Sequence, residues 1–249
     1  MKIVDFLNCK IDVSKRVFIP RIETEFWIKK AITELKIEHP FHGYPKLKIL
    51  DLFAGSGCIG IAILKNIKNS QVDFVDIDKR TIEQTKINLK LNKILKTRYR
   101  IYKSNTELPK EAKVKMRTLF SSPLFEKLKN RKYDYIFANP PYVAKERIKE
   151  VDEEVLRTEP WISFFAGKGG LFHIKKFLKE AKNHLKKKGV IYLEFDSKQK
   201  EEIEKILKIM GLGARAQLGR AVGGLESDFQ FKKDQFKKYR WLKIKNVKK

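Results

Sequence analysis

Asn139-Pro140-Pro141-Tyr142 closes an alternating apolar run, Tyr133 to Ala138, and is the stretch of this chain best equipped to handle a planar nitrogen group. Proline lacks a backbone N–H and fixes its own φ, and the residue before a proline is held extended. Asn139 and Pro140 both precede a proline, so both are expected extended. The Asn139 side-chain oxygen and the Pro140 carbonyl can then converge on one point. A primary or exocyclic amine held there has both N–H groups engaged, and Tyr142 offers its plane an aromatic face. The plainer reading makes Asn139 a turn cap and Tyr142 a core aromatic. Two prolines between them favour the chemical one.

Ile49 to Gly60 reads as a strand, a glycine turn (Gly55-Ser56-Gly57) and a helix start. The glycines let backbone pass close to a ligand and let the helix pack on its strand. Asp76, nineteen residues after Gly57, ends the next strand. A carboxylate there can accept from both hydroxyls of a ribose. To this point a nicotinamide dinucleotide and S-adenosylmethionine are rivals. Asp51, just before the turn, suits the cationic amine and sulfonium end of the latter, unless it only stabilises the turn. The diproline turn decides for S-adenosylmethionine, since hydride transfer has no use for such acceptors. Phe53, Ala54, Gly55, Ser56 and Gly57 complete the expected cofactor contacts, with Asn139 facing the cofactor as well as the acceptor.

Short β-rich runs alternate with longer amphipathic stretches, the pattern of a parallel sheet covered by helices. Residues 3–18 read as a small β-hairpin and 24–35 as a helix that Thr24 is placed to cap. Strands are expected at 47–53, 72–76 and 99–103, with helices at 56–67 and 80–91. The lysine-rich stretch 105–122 reads as an insertion, and 132–138 as the strand feeding the diproline turn. A long amphipathic helix is expected over 169–187, with Gly189 as its stop. A strand at 190–195, a helix at 200–210 and two closing strands within 214–249 follow. The division expected is a hairpin and approach segment, 1–22, then one domain, 23–249.

A chain of 249 residues that is 42% hydrophobic and holds 17 Phe can bury a substantial core and is not disordered. Lys plus Arg (56) exceeds Asp plus Glu (30), giving +26. That excess suits an anionic partner such as ribosomal or other RNA. The lysines run along the whole chain, so a solvated basic surface explains them equally well. Cys9 and Cys58 fit no metal spacing and the four histidines form no ligand cluster, so no metal is expected. Reduced thiols and the lack of a secretory signal point to the cytoplasm. No apolar run reaches the roughly 18 residues of a membrane span, so no membrane partner is expected.

Together these residues resemble the class I S-adenosylmethionine-dependent methyltransferases, in the branch with the N-P-P-Y signature. That branch includes DNA adenine-N6, rRNA guanine-N2 and protein glutamine-N5 enzymes. Three segments narrow the resemblance to the HemK-type peptide chain release factor glutamine methyltransferases. Phe18-Ile19-Pro20-Arg21-Ile22-Glu23-Thr24-Glu25 is similar to that family's I-P-R-x-E-T-E segment. Glu159-Pro160 with Gly167-Lys168-Gly169-Gly170-Leu171 is similar to its E-P…G-x-x-G-L stretch. Tyr192-Leu193-Glu194-Phe195 with Gln199 resembles its late strand and following glutamine.

The resemblance implies an α/β, Rossmann-like fold with a seven-stranded, mostly parallel sheet and helices on both faces. It implies S-adenosylmethionine as methyl donor and, as partner, the Gly-Gly-Gln loop of a release factor, whose glutamine side-chain nitrogen (N5) accepts the methyl group. In that chemistry Asn139 and Pro140 accept the two N–H groups, Pro141 stiffens the turn and Tyr142 packs on the amide. Arg21, Glu23 and Thr24 are expected to order a segment over the site. The alternative is a nucleic-acid amino-methyltransferase that flips adenine or guanine onto Tyr142. Two departures stand out. Only a hairpin precedes Pro20, where the family usually carries an N-terminal helical domain. The family's Asp-containing turn in the adenine pocket also has no counterpart; Leu124 is expected to wall the adenine, with Asn105 as its rival and plain core as the other reading of Leu124.

Overall fold

The chain opens with a two-residue hairpin, β1 (Ile3–Phe6) and β2 (Cys9–Asp12), turned by Leu7 and Asn8 at φ +47° and +65°. Two successive positive φ values match the right-handed twist of the strands they join. The computed structural model describes residues 2–40, 45–104, 125–212 and 226–247. Leu124, Asn105 and the 105–122 insertion lie outside the described residues.

Helix α1 (Ile22–Glu38) follows, then β3 (Leu47–Leu52), α2 (Cys58–Asn66), β4 (Ser70–Asp76), α3 (Lys79–Leu91), β5 (Tyr99–Lys103) and β6 (Tyr133–Ala138). After β6 come a short α4 (Glu153–Thr158), α5 (Phe172–Ala181), β7 (Leu185–Glu194), α6 (Lys200–Ile209), β8 (Glu226–Lys233) and β9 (Tyr239–Val247). The seven-stranded sheet has the order β5-β4-β3-β6-β7-β9-β8. Strands β3 to β7 pair in parallel, while β9 pairs antiparallel with both β7 and β8. This is the Rossmann-like, mostly parallel sheet expected. Because β3 neighbours both β4 and β6, the crossovers leave it in opposite directions. A crevice opens at the carboxyl ends of β3 and β6, the usual ligand position in open α/β sheets.

The inner strands are apolar on both faces because helices cover both. On one face Trp27, Ile28 and Leu35 of α1 pack with Ile49, Phe74, Phe137 and Tyr192. On the other, Ile174, Phe177 and Leu178 of α5 and Ile203 and Leu207 of α6 pack against Leu50, Ile136 and Leu193.

The hairpin is fastened to α3 by side-chain amides. Asn88 Oδ1 accepts from Asp12 N–H at 2.8 Å, while its Nδ2 donates to Asp12 C=O and Ser56 C=O, both at 2.9 Å. Asn92 repeats the pattern on Lys10 at 3.1 and 2.7 Å, and Gln84 accepts from Lys15 N–H at 3.0 Å. Residues four apart on a helix rise about 6 Å, close to two residues of strand at ~6.6 Å. The helix face therefore supplies a ladder that the open edge of β2 can pair with.

Two expectations are corrected. Thr24 does not cap α1: the helix starts at Ile22, with Arg21 at the cap position making no side-chain cap bond, and Thr24 is buried in its first turns. The helix over 169–187 is shorter, Phe172–Ala181. Gly169 and Gly170 sit at φ +66° and +68°, which no helix continues through, and β7 already begins at Leu185. Lys186 points at Asp134 of β6 (2.7 Å), and Gly189 lies inside the strand rather than stopping a helix.

Candidate active site

One cavity of about 270 Å³ sits in the crevice at the carboxyl ends of β3, β4 and β6. Phe53, Ala54, Gly55, Ser56, Asp76, Asn139, Pro140, Pro141 and Tyr142 line it. The glycine turn and the diproline turn, distant in sequence, thus face one space. Asp51 and Gly57 are not among the lining residues.

The β3–α2 turn is shaped by backbone that few side chains tolerate. Phe53 stands at φ +63°, a strained position for a bulky residue, and such strain concentrates at functional sites. Gly57 caps α2 at φ +79°, with Thr85 of α3 so near that an added Cβ would lie 2.9 Å from its methyl carbon. At Gly60 a Cβ would fall 2.3 Å from the Phe74 ring, so this residue is what seats α2 on β4.

Asp76 braces the turn. Its Oδ2 accepts from Gly55 N–H at 2.9 Å and its Oδ1 from Asp78 N–H at 3.0 Å. Burial pushes its carboxyl pKa up, and those amides pull it back. Asp51 lies beneath the turn, 1% exposed, and its Oδ2 accepts from Gly60 N–H at 2.9 Å. Its other oxygen, Oδ1, is buried and lacks a partner among the described residues. Burial raises the Asp51 pKa to about 8, helped by the nearby Asp76 charge.

The diproline turn is held from its far side. Gln199 Nε2 donates to the Tyr142 carbonyl at 3.0 Å and the Gly169 carbonyl at 3.1 Å. Gly170 packs so closely that a Cβ would meet Tyr142 O at 2.2 Å. The Tyr142 hydroxyl donates to Glu194 Oε1 at 3.0 Å. Val143 then bridges to residues 164–166, donating to Phe164 O at 2.7 Å and accepting from Ala166 N–H at 2.9 Å. Two of the three segments singled out in the sequence, the glycine stretch at 167–171 and the late strand with Gln199, therefore converge on the placement of one turn.

Of the remaining wall, Arg21 is expected from the sequence and the apolar side chains are not. Val151, Val155, Ile162 and Phe164 supply apolar surface, and Phe18 with Arg21 supplies the N-terminal side. Arg21 is tied to Glu159 at 2.5 Å, and Glu159 also accepts from Ile19 N–H at 3.2 Å. The approach segment and the Glu159-Pro160 corner are thereby joined across the cavity. His173 and Lys176 of α5 reach the same space. His173 stacks edge-on with Phe53 at 5.8 Å, and burial lowers its pKa to about 4, so it stays neutral near pH 7. A helix carrying His and Lys three apart on its buried face was the only local signal for them.

Cys9 and Cys58 are both buried thiols. Among the described residues no His, Cys, Asp and Glu group is arranged to hold a metal ion, and no helix is long and apolar enough to cross a membrane.

A family model described as Eco57I restriction-modification methylase matches residues 70–207. A curated relative, the release factor glutamine methyltransferase of Lactococcus lactis subsp. lactis, is 30% identical over 204 residues, which are 82% of this chain and 65% of that protein. The chain thus spans just under two thirds of the length of that relative. Among solved structures, the catalytic domain of hMettl16 in complex with the MAT2A 3′UTR hairpin 1 superposes with a TM-score of 0.60 at 15% identity, covering 97% of this chain and 76% of that one. SMU.776, described as a putative methyltransferase complexed with SAH, does so at 0.55 and 13% identity, over 98% of this chain and 55% of that one.

Proposed function

The chain belongs to the methyltransferase family described as Eco57I restriction-modification methylase, and we propose that it moves a methyl group from S-adenosylmethionine to the side-chain amide nitrogen of a glutamine in the Gly-Gly-Gln loop of a peptide chain release factor. The observation that carries this reading is the meeting of the two turns: Gly55-Ser56 and Asn139-Pro140-Pro141-Tyr142 line one cavity. The name of the Lactococcus lactis relative supplies the substrate class.

The residues fit the methyl donor. Asp51 Oδ1 is a buried acceptor lacking a partner among the described residues, placed under the turn where a ligand ammonium would come. Asp76 lines the cavity at the end of β4, where a ribose would lie, although two backbone amides already use its oxygens. When bound, S-adenosylmethionine supplies an electrophilic methyl group on a sulfonium sulfur.

The chain's own residues do the rest by placement. An amide nitrogen is a weak nucleophile because its lone pair is delocalised into the carbonyl. Asn139 Oδ1 and the Pro140 carbonyl accept its two N–H groups and turn the nitrogen toward the methyl carbon. Those oxygens would also favour the positive charge that grows on nitrogen as the N–C bond forms, the donor's S–CH3 bond breaks to leave a neutral thioether, and one N–H proton is released to solvent. Tyr142 holds the amide plane. Positioning of this kind supplies a large part of a rate enhancement. The apolar wall of Val151, Val155 and Ile162 keeps water from competing.

The family model's description and the +26 charge favour a second reading, methylation of an adenine or guanine amino group in nucleic acid. One experiment separates the two. Incubated with labelled S-adenosylmethionine, the protein should label a Gly-Gly-Gln release factor and leave RNA and DNA unlabelled. Label on nucleic acid alone transfers the conclusion to the second reading.

A further inference from the structure

Glu194, the last residue of β7, is 1% exposed and takes part in no ion pair among the described residues. An isolated buried carboxylate is costly, so its retention asks for an account. Three donors surround it. Trp27 Nε1 at 2.6 Å and Thr24 Oγ1 at 2.8 Å reach Oε2, and the Tyr142 hydroxyl at 3.0 Å reaches Oε1. Trp27 can only donate and is locked in place, stacked on Phe137 at 6.2 Å and Trp241 at 6.1 Å. Arg240, whose charge acts on Glu194, is engaged with Asp234 at 3.2 Å.

Two jobs would explain a carboxylate here. One is fastening α1 to β7, which Thr24 and Trp27 accomplish on Oε2. The other uses Oε1, whose only partner among the described residues belongs to the diproline turn. A phenol that donates to a carboxylate gains electron density in its ring, and the negative face of that ring attracts positive charge. The Tyr142 ring lines the cavity where the acceptor nitrogen is to sit.

We propose that Glu194 is a positioning residue for methyl transfer: it fixes the orientation of Tyr142 and enriches its ring, so that the ring's face steadies the charge growing on the acceptor nitrogen. The proposal rests on the methyltransferase reading but not on the choice of acceptor. Glu194 touches neither donor nor acceptor and acts through the Tyr142 hydroxyl. Gln199 holds the carbonyl of the same residue, so side chains from the end of β7 and the turn after it grip Tyr142 at both ends.

The test compares Glu194→Gln, Tyr142→Phe and the double variant, on whichever acceptor the wild-type protein labels. Glutamine keeps the shape and can still bond Trp27, so folding is retained; Tyr192→Phe, which removes a bond from β7 to Glu34 of α1 without touching Glu194, serves as the control for α1 docking. Expected are a fall in kcat of about tenfold for Glu194→Gln, with acceptor KM and donor Kd unchanged within twofold. Tyr142→Phe should show a similar fall, and the double variant no further one. Tyr192→Phe should lower Tm without lowering kcat. Wild-type kcat in Glu194→Gln, or losses that multiply in the double variant, would overturn the proposal. So would a kcat loss in Tyr192→Phe matching that of Glu194→Gln, which would reduce Glu194 to a helix anchor. If wild type labels RNA and not the release factor, the substrate assignment falls, while the same comparison on RNA still decides the role of Glu194.

Discussion

Replacing Asn88 by Ala tests whether the hairpin is held by the amide ladder. Asn88 is fully buried, and the change strips partners from three backbone groups: Asp12 N–H, Asp12 C=O and Ser56 C=O. A hydrogen bond contributes about 1 kcal/mol net, and a buried group left without one costs about 1–3 kcal/mol. Carbonyls tolerate the loss better than the amide does, and alanine regains about half a kcal/mol as a helix former. The balance is a loss of about 2–4 kcal/mol, a large part of the ~5–15 kcal/mol typical of a domain. In urea the midpoint should fall by about 1 M, at an m-value near the upper end of the ~1–3 kcal/mol/M range. Hydrogen exchange read by mass spectrometry should show the segment around Asp12 losing protection first, while β3 and β6 keep theirs. A loss below about 0.5 kcal/mol, or unchanged protection around Asp12, would show that apolar packing alone seats the hairpin and that the ladder argument is wrong.

Three further outcomes are expected. Asn139→Ala should cut turnover by about 100-fold or more while donor Kd by calorimetry stays within about threefold; equal loss of both would show the residue serves the cofactor. Asp51, raised to about 8, stays largely protonated below that pH in the ligand-free protein. A ligand ammonium favours its charged form, so donor binding should release a proton and tighten as pH rises toward 8. The same shift makes ligand-free stability fall as pH rises from the ordinary carboxylate range to about 8, because the folded state holds a proton the unfolded state has shed. Calorimetry at pH 6.5 in buffers of different ionisation enthalpy, with Asp51→Asn as control, reads the proton, and no difference between the two proteins refutes the linkage. Gly170→Ala places a Cβ 2.2 Å from Tyr142 O at a φ of +68°, so kcat should drop while donor affinity holds; normal kcat would mean the diproline turn need not be fixed so tightly.

Much of this architecture could be read from local chemistry. Strands β3, β4 and β6 declare themselves by apolar runs, and Gly55, Gly57, Pro140 and Pro141 restrict backbone wherever they occur. Their meeting in one crevice follows from the topology of parallel sheets. What escaped depends on partners far along the chain. Thr24 looked like a cap because Ser and Thr at helix starts usually are, yet its hydroxyl turns inward to a carboxylate 170 residues later. Gln84, Asn88 and Asn92 are polar residues on the buried side of α3, and nothing nearby announces the strand they serve. The helix over 169–187 failed differently: Leu185 happens to keep the helical phase of Leu178 and Ala181, so periodicity ran on after the backbone had entered β7. One oxygen of Asp51 is turned to the helix start, where Gly60 N–H donates to it, so only Oδ1 is left for a ligand.

The ties of α1 have a consequence for the order in which the molecule is made. Thr24 and Trp27 leave a ribosome 170 and 167 residues ahead of the carboxylate that accepts their hydrogen bonds. Asn88 and Asn92 emerge 76 and 82 positions behind the strand they fasten. A nascent chain therefore carries its first two strands without their ladder until residue 92 and its first helix without its carboxylate until residue 194, and closing contacts this remote is slow. Arg21 and Phe18, which wall the crevice, lie between those two late attachments. Glu159 ties Arg21 and Ile19, so the crevice gains its N-terminal side only once synthesis has passed residue 159, and α1 its carboxylate anchor only past residue 194.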